Sequence, residues 1–355
     1  MASSGKKARL MLVLVMLATT MFVFGLVSGL LIMRFAGNRE DKKQEKVVSS
    51  EPTVSQPSVI IKTDDKQTIN VYIPARERVY GKIPVNSYIQ DNFTVEDGFR
   101  AYYDENGEKI SHLGVDISYH QKSVDWDKLK EAGVEFVMLR CGYRGYTEGG
   151  LVKDEKFDEY ARACNEAGIP LGVYFFTQAV TVDEAINEAD FVIKLIEDYD
   201  ISYPVALDTE YVSDSSARTN DDSIDEELRT KMSIAFLERV REAGYYPMIY
   251  ASENWIRRQL LFEELQEYDF WAPQYLEKND FLYDHTIWQY TESGRIPGIE
   301  EEVDINISMV DYASFVPALR EAVVNNGQII EVSANSIDIS VNQTGDDNGR
   351  AVPER

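Results

Sequence analysis

The chain has 355 residues, 44% of them hydrophobic, enough for one large globular domain with accessory segments. Its 36 basic against 61 acidic residues give a formal charge of −25, which excludes a nucleic-acid partner and general adhesion to anionic lipid, since phosphates repel such a surface. The two cysteines, Cys141 and Cys164, exclude a disulfide framework and are expected as buried free thiols; His112, His120 and His285 carry no metal-binding spacing, so neither a metal nor a cofactor is expected.

Residues 1–9 are short, polar and basic, as a cytoplasmic N-terminus would be. Residues 10–33 carry no charge. About 20 apolar residues span a bilayer core, whereas the apolar part of a cleavable signal runs about 7–15. An uncleaved transmembrane signal anchor is therefore expected, with a cleaved signal peptide as the alternative. Lys and Arg lie on both sides of the span, so charge does not fix its orientation. Residues 34–58, charged and then rich in Ser, Pro, Thr and Gln, predict a flexible stalk. Residues 59–111 predict a small β-rich extension: strands over 59–61 and 68–73, and a hairpin turning at Asp104-Glu105-Asn106-Gly107. No chemistry is legible in it.

From His112 strands and helices alternate. Strands are expected over 113–118, 136–140 and 171–176, with helices over 125–133, 154–168 and 182–199. An apolar run from Pro204 then ends in Asp208-Thr209-Glu210. A helix over 225–244, a strand over 247–250 and a helix over 255–267 follow. Gly168 and Gly244 sit where helix-ending glycines belong. Strands over 270–275, 286–290 and 303–306 lack proper helices between them, and a last helix covers 310–324. The predicted fold class is α/β: an irregular (β/α) TIM-like barrel over 112–324, with eight strands and helices mainly after the first five. The tail, 325–355, is polar, with one candidate strand at 329–332.

The chemistry collects at strand ends. Side chains alternate along a strand, so Asp208 and Glu210 face the same way, their Cα atoms about 6.6 Å apart. Two such carboxylates can divide labour, one holding a proton while the other stays ionised, which is what glycosidic cleavage requires. Asp116 and Asp304 bring two more acids to the same barrel mouth. Like charges gathered in one place cost stability unless they serve something. Tyr174, Tyr250, Trp271, Gln274, Tyr275, Trp288 and Gln289 come from the strands between. Aromatic faces around carboxylates suit sugars, which stack on rings while their hydroxyls bond to acids and amides.

In order and spacing, several pieces resemble glycoside hydrolase family 25, the Chalaropsis-type lysozymes. They are Gly114-Val115-Asp116-Ile117-Ser118, Val124-Asp125-Trp126, Ala167 through Tyr174, Leu207-Asp208-Thr209-Glu210, Pro247-Met248-Ile249-Tyr250, Trp288-Gln289-Tyr290 and Val303-Asp304-Ile305-Asn306. Cys141 departs from the small residue usual after the second strand and touches no matched catalytic position. The resemblance implies hydrolysis of the β-1,4 bond between N-acetylmuramic acid and N-acetylglucosamine in peptidoglycan. It implies Glu210 as general acid, Asp208 as its partner, and Asp116 and Asp304 lining the site. A bacterial envelope is the implied setting, with the membrane as partner of the N-terminal helix and the catalytic domain outside. The further expectation is that Glu210 is protonated at rest and that an ionised Asp208 steadies the substrate's own 2-acetamido group, with net retention. Direct attack by Asp208 and inversion stay open, because the spacing does not fix the distance between carboxyl oxygens. Two other readings stay open as well: a wall-binding or assembly module without turnover, and a chitinase-like hydrolase with a similar D-x-E.

Overall fold

A computed structural model describes residues 60–62, 68–73, 78–326, 330–333 and 336–341, with side chains over 83–321, all inside a compact unit spanning 56–355. The expected N-terminus (1–9), transmembrane anchor (10–33) and stalk (34–58) lie outside the described residues, as does most of the tail. Among the described residues no helix is long and apolar enough to cross a membrane.

The N-terminal part holds three short strands, β1 (Ile60–Lys62), β2 (Thr68–Ile73) and β3 (Arg78–Pro84), then a hairpin of β4 (Phe93–Glu96) and β5 (Phe99–Tyr102). The hairpin turns on Asp97 and Gly98, both at positive φ, the Asp-Gly pairing that a tight two-residue turn favours. The turn expected at 104–107 does form, but it closes only an isolated Tyr103–Lys109 bridge.

The barrel follows as β6 (His112–Ile117), α1 (Trp126–Glu131), β7 (Phe136–Arg144), β8 (Leu151–Lys153), α2 (Phe157–Ala167), β9 (Leu171–Phe176), α3 (Val182–Ile196), β10 (Val205–Asp208), α4 (Glu226–Glu242), β11 (Pro247–Tyr250) and α5 (Glu253–Gln259). It ends with β12 (Asp269–Pro273), β13 (Ile287–Gly294), β14 (Val303–Ser308) and α6 (Val316–Asn326). Beyond it β15 (Ile330–Ser333) pairs in parallel with β1 and antiparallel with β16 (Ser336–Val341).

Eight strands close the barrel, β6 pairing with both β7 and β14, while β8 is a ninth strand folded back on β7. Local signals start and stop the helices. Asp125, Thr181, Asp225 and Ser252 cap α1, α3, α4 and α5 by accepting a backbone N–H three residues on. Gly168 ends α2 in the left-handed conformation, and Gly244 follows α4 at positive φ. Two expected helices are shorter than their apolar patterns. Helix α5 stops at Gln259, because Leu260 is extended and the Leu261 N–H turns to Thr230 Oγ1 at 2.8 Å. Helix α6 begins at Val316, next to Pro317, a residue suited to a helix's first turn.

Two features depart from a regular barrel. Strand β14 runs antiparallel to both neighbours, so its beginning, not its end, lies at the mouth where the parallel strands finish. Asp304, the second residue of β14, is thereby paired with Asp116 near the end of β6. The second departure is on the outside. Where β13 and β14 have no helix over them, the N-terminal hairpin supplies the cover: Phe93 and Tyr102 pack with Trp288, Ile307 and Met309. Inside, the alternation of strand side chains fills the barrel with Phe136, Met138, Ala206, Met248 and Ile287. Gly114 is required there, because a Cβ at that position would meet the Phe136 ring at 2.3 Å.

Candidate active site

A cleft of about 220 Å³ lies at the barrel mouth, lined by Asp116, Arg140, Tyr174, Phe176, Asp208, Glu210, Tyr250, Trp271, Gln289 and Asp304. This mixture of aromatic rings with a few polar groups suits a small-molecule or saccharide site. The inward parity of each strand produces it. Strand β10 ends at Asp208, whose neighbours in register are Phe176 and Tyr250. Thr209 turns outward and accepts from Trp255 Nε1 at 3.0 Å, which returns Glu210 to the cleft side just beyond the strand.

The acids are bound into one network. Asp116 Oδ2 accepts from Gln289 Nε2 and from Asn306 Nδ2, each at 2.8 Å. Asn306 Oδ1, of the same side-chain amide, in turn accepts from Trp271 Nε1 at 2.8 Å. Gln289 Oε1 accepts from Tyr250 at 3.0 Å and Tyr275 at 2.7 Å, which fixes the amide so that its NH₂ points at Asp116. Asp304 hydrogen-bonds to Asp116; burial first, then the Asp116 charge, push its carboxyl up to about 9, so at neutral pH Asp304 holds the shared proton.

All four carboxyls are raised, in each case by burial before anything else. For Asp208 the Glu210 and Asp116 charges add to burial, opposed by Arg140, and the shift is large. Glu210 is raised too, with Asp116 as the second cause, although its side chain reaches solvent. The expected split, Glu210 protonated beside an ionised Asp208, is therefore not what burial alone sets: Asp208 is the deeper group and is pushed far up. Two features act the other way. Arg140 lowers Asp208, and is itself held by Asp154 through Nε at 2.8 Å. Asp208 Oδ1 is buried with no hydrogen-bond partner, an acceptor open to a donor that would favour the carboxylate.

Of the predicted residues, Asp116, Asp208, Glu210, Asp304, Tyr174, Tyr250, Trp271 and Gln289 meet in the cleft. Trp271 forms its floor more than a wall: it is 1% exposed and edge-packed against Tyr174 and Tyr250. Tyr275 stands at the rim, with its hydroxyl on Gln289. Trp288 is a correction. Gln289 faces inward, so its neighbour must face outward, and Trp288 is fully buried beneath the hairpin with Nε1 donating to Gln274 O at 2.8 Å. Gln274 is a second correction: it lies beyond β12 and spends its side chain on Asp280.

Arg140, Phe176, Asn306 and Asp154 were not foreseen. Arg140 had a signal, a lone charge closing the apolar run Phe136–Leu139, in phase with inward Met138. Asp154, which opens the expected helix over 154–168, looks like an ordinary helix cap until Arg140 is placed beside it. Both cysteines are buried and free as expected, and burial pushes Cys164 up to about 12. Among the described residues no group of three His, Cys, Asp or Glu is arranged to hold a metal ion.

The chain is similar to proteins that bear on this site. It is 23% identical over 272 residues to the uncharacterized protein YegX of Escherichia coli (strain K12), covering 72% of this chain and 89% of that one. It is 23% identical to the autolytic lysozyme of Clostridium acetobutylicum over 68% of this chain, and spans 63% of that lysozyme's length. The structure resembles that of the modular autolysin LytC from Streptococcus pneumoniae in complex with a synthetic peptidoglycan ligand. The TM-score there is 0.50 at 25% identity, covering 67% of this chain and 57% of LytC. Residues 115–299, just over half of the chain and including Asp116, Asp208 and Glu210, match one family throughout, and the chain belongs to glycosyl hydrolases family 25.

Proposed function

We propose that this protein hydrolyses peptidoglycan, cleaving the β-1,4 bond between N-acetylmuramic acid and N-acetylglucosamine. The observation that carries it is the placement of Asp208 and Glu210 side by side at the mouth of a cleft floored by Trp271 and walled by Tyr174 and Tyr250. Family membership supports a glycoside hydrolase, and the lysozyme and autolysin relatives support this substrate.

In this reading Glu210, with its raised carboxyl and access to solvent, gives a proton to the leaving oxygen. Asp208 receives the N–H of the substrate's 2-acetamido group on its unpartnered Oδ1. That hydrogen bond favours the ionised form of Asp208 when the substrate seats, and orients the acetamido oxygen toward the anomeric carbon. Water, deprotonated by the now ionised Glu210, opens the cyclic intermediate with net retention. Asp304 stays protonated and hydrogen-bonded to Asp116, so the cluster does not carry its full charge.

The test is mass spectrometry of fragments released from purified peptidoglycan. New reducing-end muramic acid is expected; reducing-end glucosamine would point to the chitinase-like specificity, and no release would point to a binding module. NMR of the first-formed anomer separates the routes: retention is expected, and an inverted product would remove the acetamido step. We further propose that residues 10–33 anchor the chain in the membrane with the barrel outside. Their lack of charge supports this. The full-length protein should stay in the membrane fraction through high-salt and alkaline washing, and mature protein beginning near residue 35 in the medium would show a cleaved signal instead.

A further inference from the structure

The loop between β12 and β13 carries Tyr275 over the cleft rim, and its own residues hold it only in part. Gln274 and Asp280 bond to each other, and Gln274 N–H donates to Gln289 O at 3.0 Å. Trp288 Nε1 donates to Gln274 O and Leu282 N–H to Glu253 Oε2, and further supports come from the N-terminal segment. Asn86 Nδ2 donates to the carbonyl and side-chain oxygens of Asn279 at 3.2 and 3.1 Å. Asn86 N–H donates to Leu282 O at 3.2 Å, and the Tyr88 hydroxyl to His285 O at 2.8 Å.

The loop tip is the weakest part. Tyr275 is 43% exposed and Leu276 53%. Arg100, on β5, reaches it and donates to Leu276 O at 3.3 Å. Its guanidinium is fixed by stacking over Trp288 at 5.0 Å and Tyr290 at 5.6 Å. Leu276 follows Tyr275 directly, and the Tyr275 hydroxyl ends on the Gln289 amide that orients Asp116.

We infer that Arg100 is a positioning residue for the active site: it holds the loop tip so that Tyr275 closes the cleft rim, making the N-terminal segment a working part of glycan binding. This rests on the hydrolase reading above. Tyr250 also bonds Gln289 Oε1, so Asp116 keeps its orientation when the tip loosens, and the loss falls on substrate binding more than on turnover.

The experiment uses the full chain and soluble, length-defined peptidoglycan fragments. Arg100→Ala should raise KM about 3–10-fold and leave kcat within about 2-fold, the pattern of a lost contact made equally in ground and transition states. In a Tyr275→Ala background the same change should add less than about 2-fold, because the two residues act through one contact. Backbone amide exchange over 275–279 should quicken in Arg100→Ala while the barrel strands keep their protection. An unchanged KM, or the same KM effect in both backgrounds, would overturn the inference. Failure of the hydrolase reading would look different: the unmodified chain would show no turnover, while amide exchange would still report on Arg100.

Discussion

Glu210→Gln keeps the shape of the side chain and its place at the cleft mouth but has no proton to give. It should lose about 10²–10⁴-fold in kcat while still binding glycan, measured by turnover and by sedimentation with peptidoglycan. Near-normal turnover would remove Glu210 as the acid. Asp304 gives a prediction of a different kind. Its carboxyl is ordinarily near 3.8 and stands at about 9 in the fold, so the native state holds a proton that the unfolded chain has released. The folded state therefore loses stability as pH rises from about 4 toward 9, and nothing is lost below that window. Asp304→Asn keeps a donor toward Asp116 without this cost. Its Tm should exceed that of the unmodified protein by at least about 2–4 °C at pH 8, the shift that about 1 kcal/mol gives in a domain of this size, with the gap closing below pH 4. Equal Tm values across the range would show that Asp304 does not carry the proton. At this scale the sequence was informative wherever a rule of parity applied. Asp208 and Glu210 share a face because they are two apart. By the same rule Trp288 and Gln289 could not both line one cleft, and the choice between them needed the burial of Trp288 under Phe93 and Tyr102. Arg140 was harder to find, because its role depends on Asp154, which joins it only when β8 folds back on β7.

The barrel strands and the helices after the first five were legible as elements because each carries its own periodicity and its own stop signal. The reversal of β14 was not, since an apolar run reads the same in both directions and only its pairing with β13 and β6 sets the sense. The role of the β4–β5 hairpin was also hidden. Its residues look like a separate extension until β13 and β14 are seen to present Trp288 and Ile307 outward with no helix to cover them. Trp288→Ala should accordingly behave as a core deletion, costing about 3–5 kcal/mol of stability by chemical denaturation. KM in the protein that remains folded should rise no further than in Arg100→Ala, because Trp288 acts on the cleft only by holding that guanidinium and the Gln274 carbonyl; a larger rise at unaltered stability would return Trp288 to the cleft. Chains shortened at the N-terminus give a matching contrast. Removal of 1–82 keeps the hairpin and should leave a soluble, cooperatively folding barrel. Removal of 1–111 strips the cover from Trp288, Ile307 and Met309 and should leave an aggregating one.

The molecule as a whole carries a charge of −25, and its cleft gathers Asp116, Asp208, Glu210 and Asp304 with Arg140 as the cation among its lining residues. A field of this sign disfavours anionic ligands, so recognition should rest on ring stacking and hydrogen bonds to neutral sugars. Binding of neutral glycan fragments should then change little between low and high salt, and a steep fall would show that ion pairs carry recognition. Turnover should also survive EDTA; loss of activity restored by one divalent ion would make the acid cluster a metal site. The hairpin that covers β13 and β14 has a consequence for the order of events during synthesis. Phe93 and Tyr102 leave the ribosome before any barrel strand, yet the surface that buries them comes from Trp288 and Ile307, almost the last of the barrel to be made. Apolar side chains that appear early in the domain are thus among the last to be covered. Contacts that distant in sequence slow folding and prolong the exposure of apolar surface. The growing chain therefore carries an uncovered apolar hairpin through nearly the whole of barrel synthesis.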